Sequence, residues 1–408
     1  MSIRSRAIRL LAAGLLSVSL AACDGAPAEP LKLGLLTYIS EGAPQNAQDR
    51  QRAFELAVAH VNEAGGVFGR PVETAVGDTA LDPDTAVVEA RRLIEDEGVH
   101  ALVGPSTSAN SLAVVERVAG PAEIPMVSPS ATSPRLTDAA DDDFFFRVAL
   151  SDVAQGPVLA RVAGDRGFDN VGAIYRNDAW GLGLVQSLQD AWEGAITAVA
   201  IEPGQTEFAD ALRQSAATGA QALILIVYST ETEVILREAL ERGIYDQFVF
   251  SDGVKSPALV QAIGGAALAG MYGTGPAPPP ASESAARWEA AYLDAYSKPP
   301  AGTYVREVYD ATVALALAAE TAASTDGAAI RDQLRAVGGG PGEVVFAGPD
   351  GIARALEILG AGGAVDYDGA SGTLDWDENG DLRRGFIGIW RYTTDERIED
   401  VDVVLFEN

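Results

Sequence analysis

The stretch Ala101-Leu102-Val103-Gly104-Pro105-Ser106-Thr107-Ser108 joins three apolar residues to a loop of glycine, proline and hydroxyl side chains. A short apolar run that ends at glycine and proline is typical of a buried β-strand. The residues that follow, 111–118, have the pattern of a helix. This unit of strand, hydroxyl-rich loop and helix guides the interpretation of the chain, because similar units recur on both sides of it.

Predicted strands and helices alternate over two long segments. Phe54, Ala57 and Val61 have the spacing of one helix face and predict a helix over residues 50–62. Short apolar runs that alternate with amphipathic helices predict parallel sheets covered on both faces. The predicted strands are 31–37, 72–76, 101–103, 125–127, 171–175, 195–200, 223–227 and 248–250.

The alternation restarts after residue 150, which predicts two doubly wound α/β lobes. A chain of 408 residues is long enough for two hydrophobic cores. Helical patterns also cover residues 282–296 and 304–323. Residues 338–372 are rich in glycine, and their pattern does not assign them to helix or strand.

Composition narrows the classes of function. The formal net charge of −29 argues against nucleic acid as a partner, because like charges repel. Hydrophobic residues make up 48% of the chain, which favours a globular protein. His60 and His100 are the two histidines, and neither has a cysteine or second histidine at ligand spacing. We therefore expect no metal site and no cofactor.

The first 22 residues have the three zones of a secretory signal peptide. Arg4, Arg6 and Arg9 precede an apolar run over residues 10–22 that ends in small residues. This run is too short to span a bilayer as a helix. We expect residues 1–22 to be removed during export.

Cys23 is the single cysteine of the sequence, so it has no disulfide partner within the chain. The residues Leu20-Ala21-Ala22-Cys23 resemble the lipobox of bacterial lipoproteins. This resemblance implies a lipid on Cys23, with residues 23–30 as a linker, and Asp24 resembles a signal for retention in the inner membrane. The alternative is a secreted protein without lipid.

Polar and aromatic side chains follow the predicted strands, where ligands of open α/β sheets bind. The loops 104–108 and 128–132 of the first lobe carry hydroxyls that suit a carboxylate. Trp180, Tyr228 and Asp252 of the second lobe suit covering a ligand and pairing with a cation. Three alternatives stay open: the hydroxyls as helix caps, the aromatics as core, and the acid as a cap or partner of a nearby lysine.

Five motifs carry a resemblance to a known family: residues 55–70, 102–108, 128–134, 309–311 and 375–382. With them the chain resembles the periplasmic Leu/Ile/Val-binding protein family, the type I substrate-binding proteins of ABC transporters. The resemblance implies two lobes joined by three crossovers, with a ligand cleft between them. It implies an N-terminal lobe of residues 31–148 plus 275–371 and a C-terminal lobe of residues 149–274 plus 372–408.

The resemblance also implies roles for single residues. Ser108 and Thr132 are expected to hold a ligand carboxylate, helped by the backbone at Ser130, and Asp252 to hold a ligand ammonium. Two aromatics are expected to close the cleft, and an asparagine to lie over the ligand side chain. The ligand-binding positions are Asn46, Ser108, Ser130, Ala131, Thr132, Trp180, Tyr228 and Asp252. Asp252 stands where the best-known members have glutamate.

The predicted function is that of a solute-binding lipoprotein of an ABC importer on the periplasmic side of the envelope. Its ligand is an amino acid, a small carboxylate or an amide, and its partners are a membrane permease and, through the lipid, the membrane. We expect no enzymatic activity, because His60 and His100 lie outside the strand-end loops. We also expect a monomer. The alternative is a sensing or regulatory lipoprotein with the same fold.

Overall fold

The computed structural model describes residues 29–40 and 44–407. The predicted signal peptide and Cys23 lie outside these residues. The described strands are β1 Lys32–Thr37, β2 Glu73–Asp78, β3 Ala101–Val103, β4 Met126–Ser128, β5 Phe145–Arg147, β6 Asn170–Arg176, β7 Ala195–Ile201, β8 Ala222–Ile226, β9 Phe248–Phe250, β10 Tyr272–Ala277, β11 Glu343–Phe346, β12 Val365–Asp368, β13 Arg384–Tyr392 and β14 Ile398–Glu407. The described α-helices are α1 Pro44–Glu63, α2 Pro83–Arg91, α3 Ser108–Val114, α4 Asp152–Asp165, α5 Ala179–Ala191, α6 Ala209–Ser215, α7 Ser229–Glu241, α8 Pro257–Ile263, α9 Gly265–Leu268, α10 Glu283–Tyr296, α11 Val305–Ala322, α12 Gly327–Gly339 and α13 Pro349–Gly360.

The first lobe is built on a five-stranded parallel sheet in the order β2-β1-β3-β4-β5. Leu33 of β1 pairs with Thr74 on one side and Ala101 on the other. Every residue of β3 is buried, as expected for a parallel strand covered by helices on both faces. The strand order reverses at β1. The connection that follows β1 and the one that follows β3 therefore run in opposite directions along the sheet.

The second lobe contains a seven-stranded sheet in the order β14-β13-β10-β9-β8-β6-β7. The strands from β7 to β10 are parallel, whereas β13 and β14 add an antiparallel hairpin beside β10. The parallel part repeats the order of the first sheet, with a reversal at β6. The two sheets confirm the prediction of two doubly wound lobes.

The chain passes between the sheets three times: after β5, after β10, and between β12 and β13. Strand β10 belongs to the second sheet as far as Ala277. After the second passage, α11 returns to the first lobe, where it packs against α1 and contacts β3 and β4. In the third passage, the Asp381 carboxylate accepts a hydrogen bond from Arg147 Nε at 2.6 Å, next to the end of β5.

Residues 338–372, which the sequence left unassigned, hold the end of α12, the two-stranded sheet of β11 and β12, and the helix α13. Helix α13 has Pro349 in its first turn and buries Ile352, Ala355 and Leu359 on one face. Across all described residues, no helix is both long and apolar enough to cross a membrane.

Candidate functional site

A cleft of about 630 Å³, part of it open to solvent, lies between the carboxyl ends of the two sheets. Its walls come from the loops after β1, β3 and β4 of the first lobe and after β8 and β9 of the second. The starts of α1 and α5 and the residues before α11 complete it. Both sheets reverse their strand order at this place, which is where open α/β sheets leave room for a ligand.

The loop after β3 approaches β1 closely because of a glycine. Gly104 has a positive φ of 102°, and a Cβ there would lie 2.1 Å from the carbonyl oxygen of Leu36. The loop then places the Ser106 hydroxyl 3.1 Å from the Thr37 hydroxyl. The hydroxyl wall of the cleft therefore depends on a backbone conformation that favours glycine.

Ser108 and Ser130 line the cleft in different hydrogen-bonding states. The Ser108 hydroxyl accepts a hydrogen bond from the Ser133 N–H at 3.1 Å, which leaves its own proton free for a ligand. The Ser130 hydroxyl donates to the Ser106 carbonyl at 2.7 Å, so its proton is already used. The Ser108 hydroxyl can therefore donate a hydrogen bond to an anion. Ser130 can contact a ligand only through its backbone or as a hydroxyl acceptor.

Ala131 and Thr132 lie behind this wall and do not line the cavity. The Ala131 N–H donates to the Ser128 hydroxyl at 3.1 Å, and its carbonyl accepts from Arg147. Thr132 is 3% exposed, and its hydroxyl has no hydrogen-bond partner among the described residues. The structure thus brings six of the eight predicted ligand-binding residues to the cavity and leaves these two beneath its surface.

Trp180 and Tyr228 form the aromatic wall of the second lobe. Their rings are stacked, with centroids 4.8 Å apart and planes 2° from parallel. The guanidinium of Arg176 lies 5.0 Å from the Tyr228 ring and forms ion pairs with Asp178 and Glu231. Asp178 also caps α5 through the N–H groups of its first turn. The aromatic pair therefore packs against Arg176, whose charge is balanced by two acidic side chains.

Asp252 lies on the floor of the cleft, where the two lobes meet. Its carboxylate accepts from the Tyr304 hydroxyl at 2.6 Å and from Gln155 Nε2 at 3.0 Å. Burial raises the pKa of Asp252, and these two hydrogen bonds oppose that rise. Lys255 pairs instead with Asp400 at 3.1 Å, so the alternative of a local lysine partner is wrong.

Two cavity residues from α1 stand beside aromatic side chains. Asn46 Nδ2 donates to the Tyr38 hydroxyl at 2.7 Å. The strand-end pattern did not predict Arg50, whose guanidinium contacts the rings of both Tyr38 and Tyr304. Arg50 precedes Phe54 by four residues, so both lie on the same buried face of the helix. A charged residue on that face was the signal that could have identified Arg50.

Asp152 is a second buried carboxyl group near the floor. Neither of its oxygens has a partner in hydrogen-bond geometry among the described residues. Burial raises the pKa of Asp152 well above its ordinary value, and the nearby Asp252 carboxylate raises it further. The Thr132 hydroxyl lies close enough to oppose this rise without meeting that geometry. Burial and the neighbouring carboxylate both act in favour of the neutral form of this carboxyl group.

Among the described residues, no group of three or more His, Cys, Asp or Glu side chains is arranged to hold a metal ion. The geometry of the cleft instead suits a small molecule with both an anionic and a cationic group, because hydroxyls and an acid face it from opposite lobes.

Comparisons with known proteins agree with this geometry. A family model described as periplasmic binding protein matches residues 30–355. The chain is 27% identical to a leucine-, isoleucine-, valine-, threonine- and alanine-binding protein of Pseudomonas aeruginosa, over 94% of each chain. It is 28% identical to BasB of Halobacterium salinarum, named as a substrate-binding protein of a chemotactic signal transduction system, over 85% of this chain and 83% of that one.

Solved structures show the same fold. A leucine-binding protein LivK of Thermotoga maritima superposes with a TM-score of 0.77 at 24% identity, over 92% of this chain and 98% of that one. LivJ of Streptococcus pneumoniae, in complex with isoleucine, gives a TM-score of 0.76 at 22% identity, over 93% of this chain and 100% of that one. The curated relatives are named as binding proteins and not as enzymes, as the sequence predicted for this chain.

Proposed function

Because the chain belongs to the periplasmic binding protein family, we propose that it is the solute-binding protein of an ABC importer for an amino acid. The observation that carries this proposal is the cleft itself. A free hydroxyl at Ser108 faces it from the first lobe, and the buried carboxylate of Asp252 faces it from the second. A zwitterion satisfies both when the lobes close.

Each group of the ligand has a matching partner in this proposal. The α-carboxylate binds the Ser108 hydroxyl and nearby backbone N–H groups, since charge-assisted hydrogen bonds are the strong ones. The ammonium binds Asp252, and Trp180 and Tyr228 cover the ligand from the second lobe. The names of the Pseudomonas and Streptococcus relatives support amino acids as the ligand class.

The proposal extends to the location of the protein. The lipobox-like sequence supports a lipid on Cys23 and an anchor on the periplasmic side of the inner membrane. A short tether there keeps the cleft close to a membrane permease and raises its effective concentration. We keep residues 31–148 plus 275–371 and residues 149–274 plus 372–408 as the proposed lobes, except that residues 275–277 pair within the second sheet and go with the second lobe. A monomer is the proposed state.

Asp252→Asn tests the role of the acid. We expect it to weaken binding of an amino acid at least about 30-fold, because a buried charge partner of the ammonium is lost. Deaminated analogues lack that ammonium and should change less than about 3-fold. Calorimetry measures the affinity for each amino acid and for its deaminated analogue: leucine with 4-methylpentanoate, and glutamate with glutarate. Equal losses within each pair would rule out an ammonium at Asp252.

A sensing role is the second candidate, and the similarity to BasB favours it. Both functions need the same ligand-binding cleft, so binding alone does not separate them. Uptake of the radiolabelled ligand in cells that lack the protein does. Lost uptake supports the importer, whereas normal uptake with a lost behavioural or transcriptional response supports the sensor.

A further inference from the structure

A buried cation in the cleft has no anionic partner within the described protein. Arg50 is 3% exposed and lines the cavity. Its Nε donates to the Thr303 carbonyl at 3.2 Å, but its Nη1 has no hydrogen-bond partner among the described residues. Within residues 29–40 and 44–407, no acidic side chain forms an ion pair with this guanidinium.

Two acidic side chains of the same region, Asp49 and Glu307, form no ion pair with Arg50. Asp49, the preceding residue, accepts hydrogen bonds from the Tyr292 hydroxyl and from the N–H groups of Ala301 and Gly302. Glu307 lies beyond ion-pair distance of Arg50, and burial raises the pKa of its carboxyl group to about 7. Glu307 therefore interacts with Arg50 only over a longer distance, and neither acid occupies the donors of the guanidinium.

The aromatic neighbours stabilise the cation only in part. The Arg50 Cζ lies 5.2 Å from the centroid of the Tyr38 ring and 5.7 Å from that of Tyr304. Cation–π contacts of this kind are weaker than the hydration that a buried guanidinium loses, and a buried charge is strongly unfavourable until it is paired. The Nη1 N–H groups need an acceptor and the buried charge favours an anionic one, which a ligand in the cavity can supply.

We propose that Arg50 binds the side-chain carboxylate of an acidic amino acid, so that the ligand of this cleft is of the aspartate or glutamate class. This inference rests on the proposed function, in which Ser108 and Asp252 already hold the α-carboxylate and the ammonium. Arg50 is then the specificity-determining residue for a third charged group. A ligand with an aliphatic side chain, by contrast, leaves the Arg50 guanidinium desolvated and unpaired.

The test begins with ligands and the unmodified mature protein. Glutamine is an isostere of glutamate without the charge, and leucine represents an aliphatic side chain. We expect calorimetry to give glutamate or aspartate an affinity at least about 10-fold higher than glutamine and leucine, the scale of one charge-assisted hydrogen bond. Equal or tighter binding of leucine or glutamine overturns the inference.

Variants of Arg50 then assign the preference to this residue. Arg50→Gln should weaken glutamate about 30-fold or more and change glutamine less than about 3-fold, so that the preference is lost. Arg50→Lys keeps the charge and should retain part of the preference. The matched control is Arg237→Gln, which removes an equal charge from the exposed surface of α7 and should change neither affinity.

Each outcome separates the inference from the proposal beneath it. If no amino acid binds, the amino-acid importer is rejected together with the acidic ligand. If amino acids bind without an acidic preference, the importer stands and the role of Arg50 falls. If Arg50→Gln weakens glutamate and glutamine equally, Arg50 holds the α-carboxylate and the side-chain assignment is wrong. Should Arg50→Gln not fold, the ligand series and Arg50→Lys decide the question.

Discussion

Glu307 gives the protein a titratable group at the start of α11, just behind the cleft. Burial raises the pKa of its carboxyl group to about 7, from 4.5 in an exposed chain. The folded protein therefore keeps a proton that the unfolded chain releases between these two values. The contribution of Glu307 to stability is fully present below pH 4.5 and falls as the pH rises toward 7, above which the loss levels off.

Glu307→Gln should remove this dependence, because glutamine keeps the shape and never ionises. At pH 8 we expect the variant to be more stable than the unmodified protein by on the order of 3 kcal/mol, with little difference at pH 4.5. Urea unfolding at several pH values measures this. Glu357→Gln on the exposed face of α13 is the control. A gain that is the same at every pH would contradict the titration of Glu307.

Some residues of the site could be predicted from the sequence, and others could not. Trp180 and Asp252 lie within four residues of strand ends, and the ends of parallel strands meet at one edge of a sheet, so their place near the cleft was predictable. Arg50 and Tyr304 reach the cleft from α1 and from the residue before α11. The helix pattern places Arg50 on a buried face. That Arg50 and Tyr304 reach the cleft depends on how the helices pack onto the first sheet, which no local pattern contains.

At the scale of elements, Asp310 joins α11 to the segment after β12. Its carboxylate accepts hydrogen bonds from the Tyr367 hydroxyl, the Ala370 N–H, and both the N–H and the hydroxyl of Ser371. Gly369 packs against the same carboxyl group, where a Cβ would lie 2.6 Å from one of its oxygens. One side chain thus holds the start of the third passage between the lobes.

Asp310→Ala should destabilise the protein by about 3 kcal/mol or more, because it leaves several buried donors without an acceptor. Urea unfolding measures the change. The control is Asp294→Ala on the exposed face of α10, for which we expect a change within about 0.5 kcal/mol. A loss below about 1 kcal/mol for Asp310→Ala would show that water replaces the carboxylate without difficulty.

Element prediction succeeded where apolar runs alternate and failed where they do not. The strands at 101–103 and 248–250 lie at the predicted positions, because each is a buried run bounded by loop residues. The β13–β14 hairpin and the sheet of β11 and β12 were not predicted. Residues 338–342 include four glycines, which interrupt the apolar pattern before β11. Strands β13 and β14 contain apolar runs, but they form an antiparallel hairpin at one edge of the sheet, outside the alternation of strands and helices on which the prediction rested.

At the scale of the whole molecule, two hydrogen bonds span the cleft. The Tyr304 hydroxyl donates to Asp252, and the Ser133 hydroxyl donates to the Ala179 carbonyl at 2.6 Å. Tyr304 also has a left-handed backbone, with φ of 60°, which is unfavourable for a large side chain and needs support from its surroundings. These contacts favour the closed arrangement over an open one.

Tyr304→Phe should shift the ligand-free protein toward the open arrangement. Loss of one buried hydrogen bond of about 1 kcal/mol changes the ratio of open to closed molecules about 5-fold. Small-angle X-ray scattering should show a larger radius of gyration for the ligand-free variant, and saturating ligand should reduce the difference. Tyr296→Phe is the control, since its hydroxyl bonds to Arg52 within the first lobe. Identical scattering of variant and unmodified protein would contradict this role.

Strand β14 has a consequence for how copies of the protein behave beside one another. It is ten residues long and forms one edge of the second sheet, where unpaired N–H and C=O groups offer a template for a strand from another molecule. Glu399, Asp400, Asp402 and Glu407 place four carboxylates on this strand, and the first three pair with arginine or lysine side chains of the same lobe. Charged side chains on an edge strand disfavour pairing with a strand of another copy, so crowded copies are kept from aggregating through their sheets.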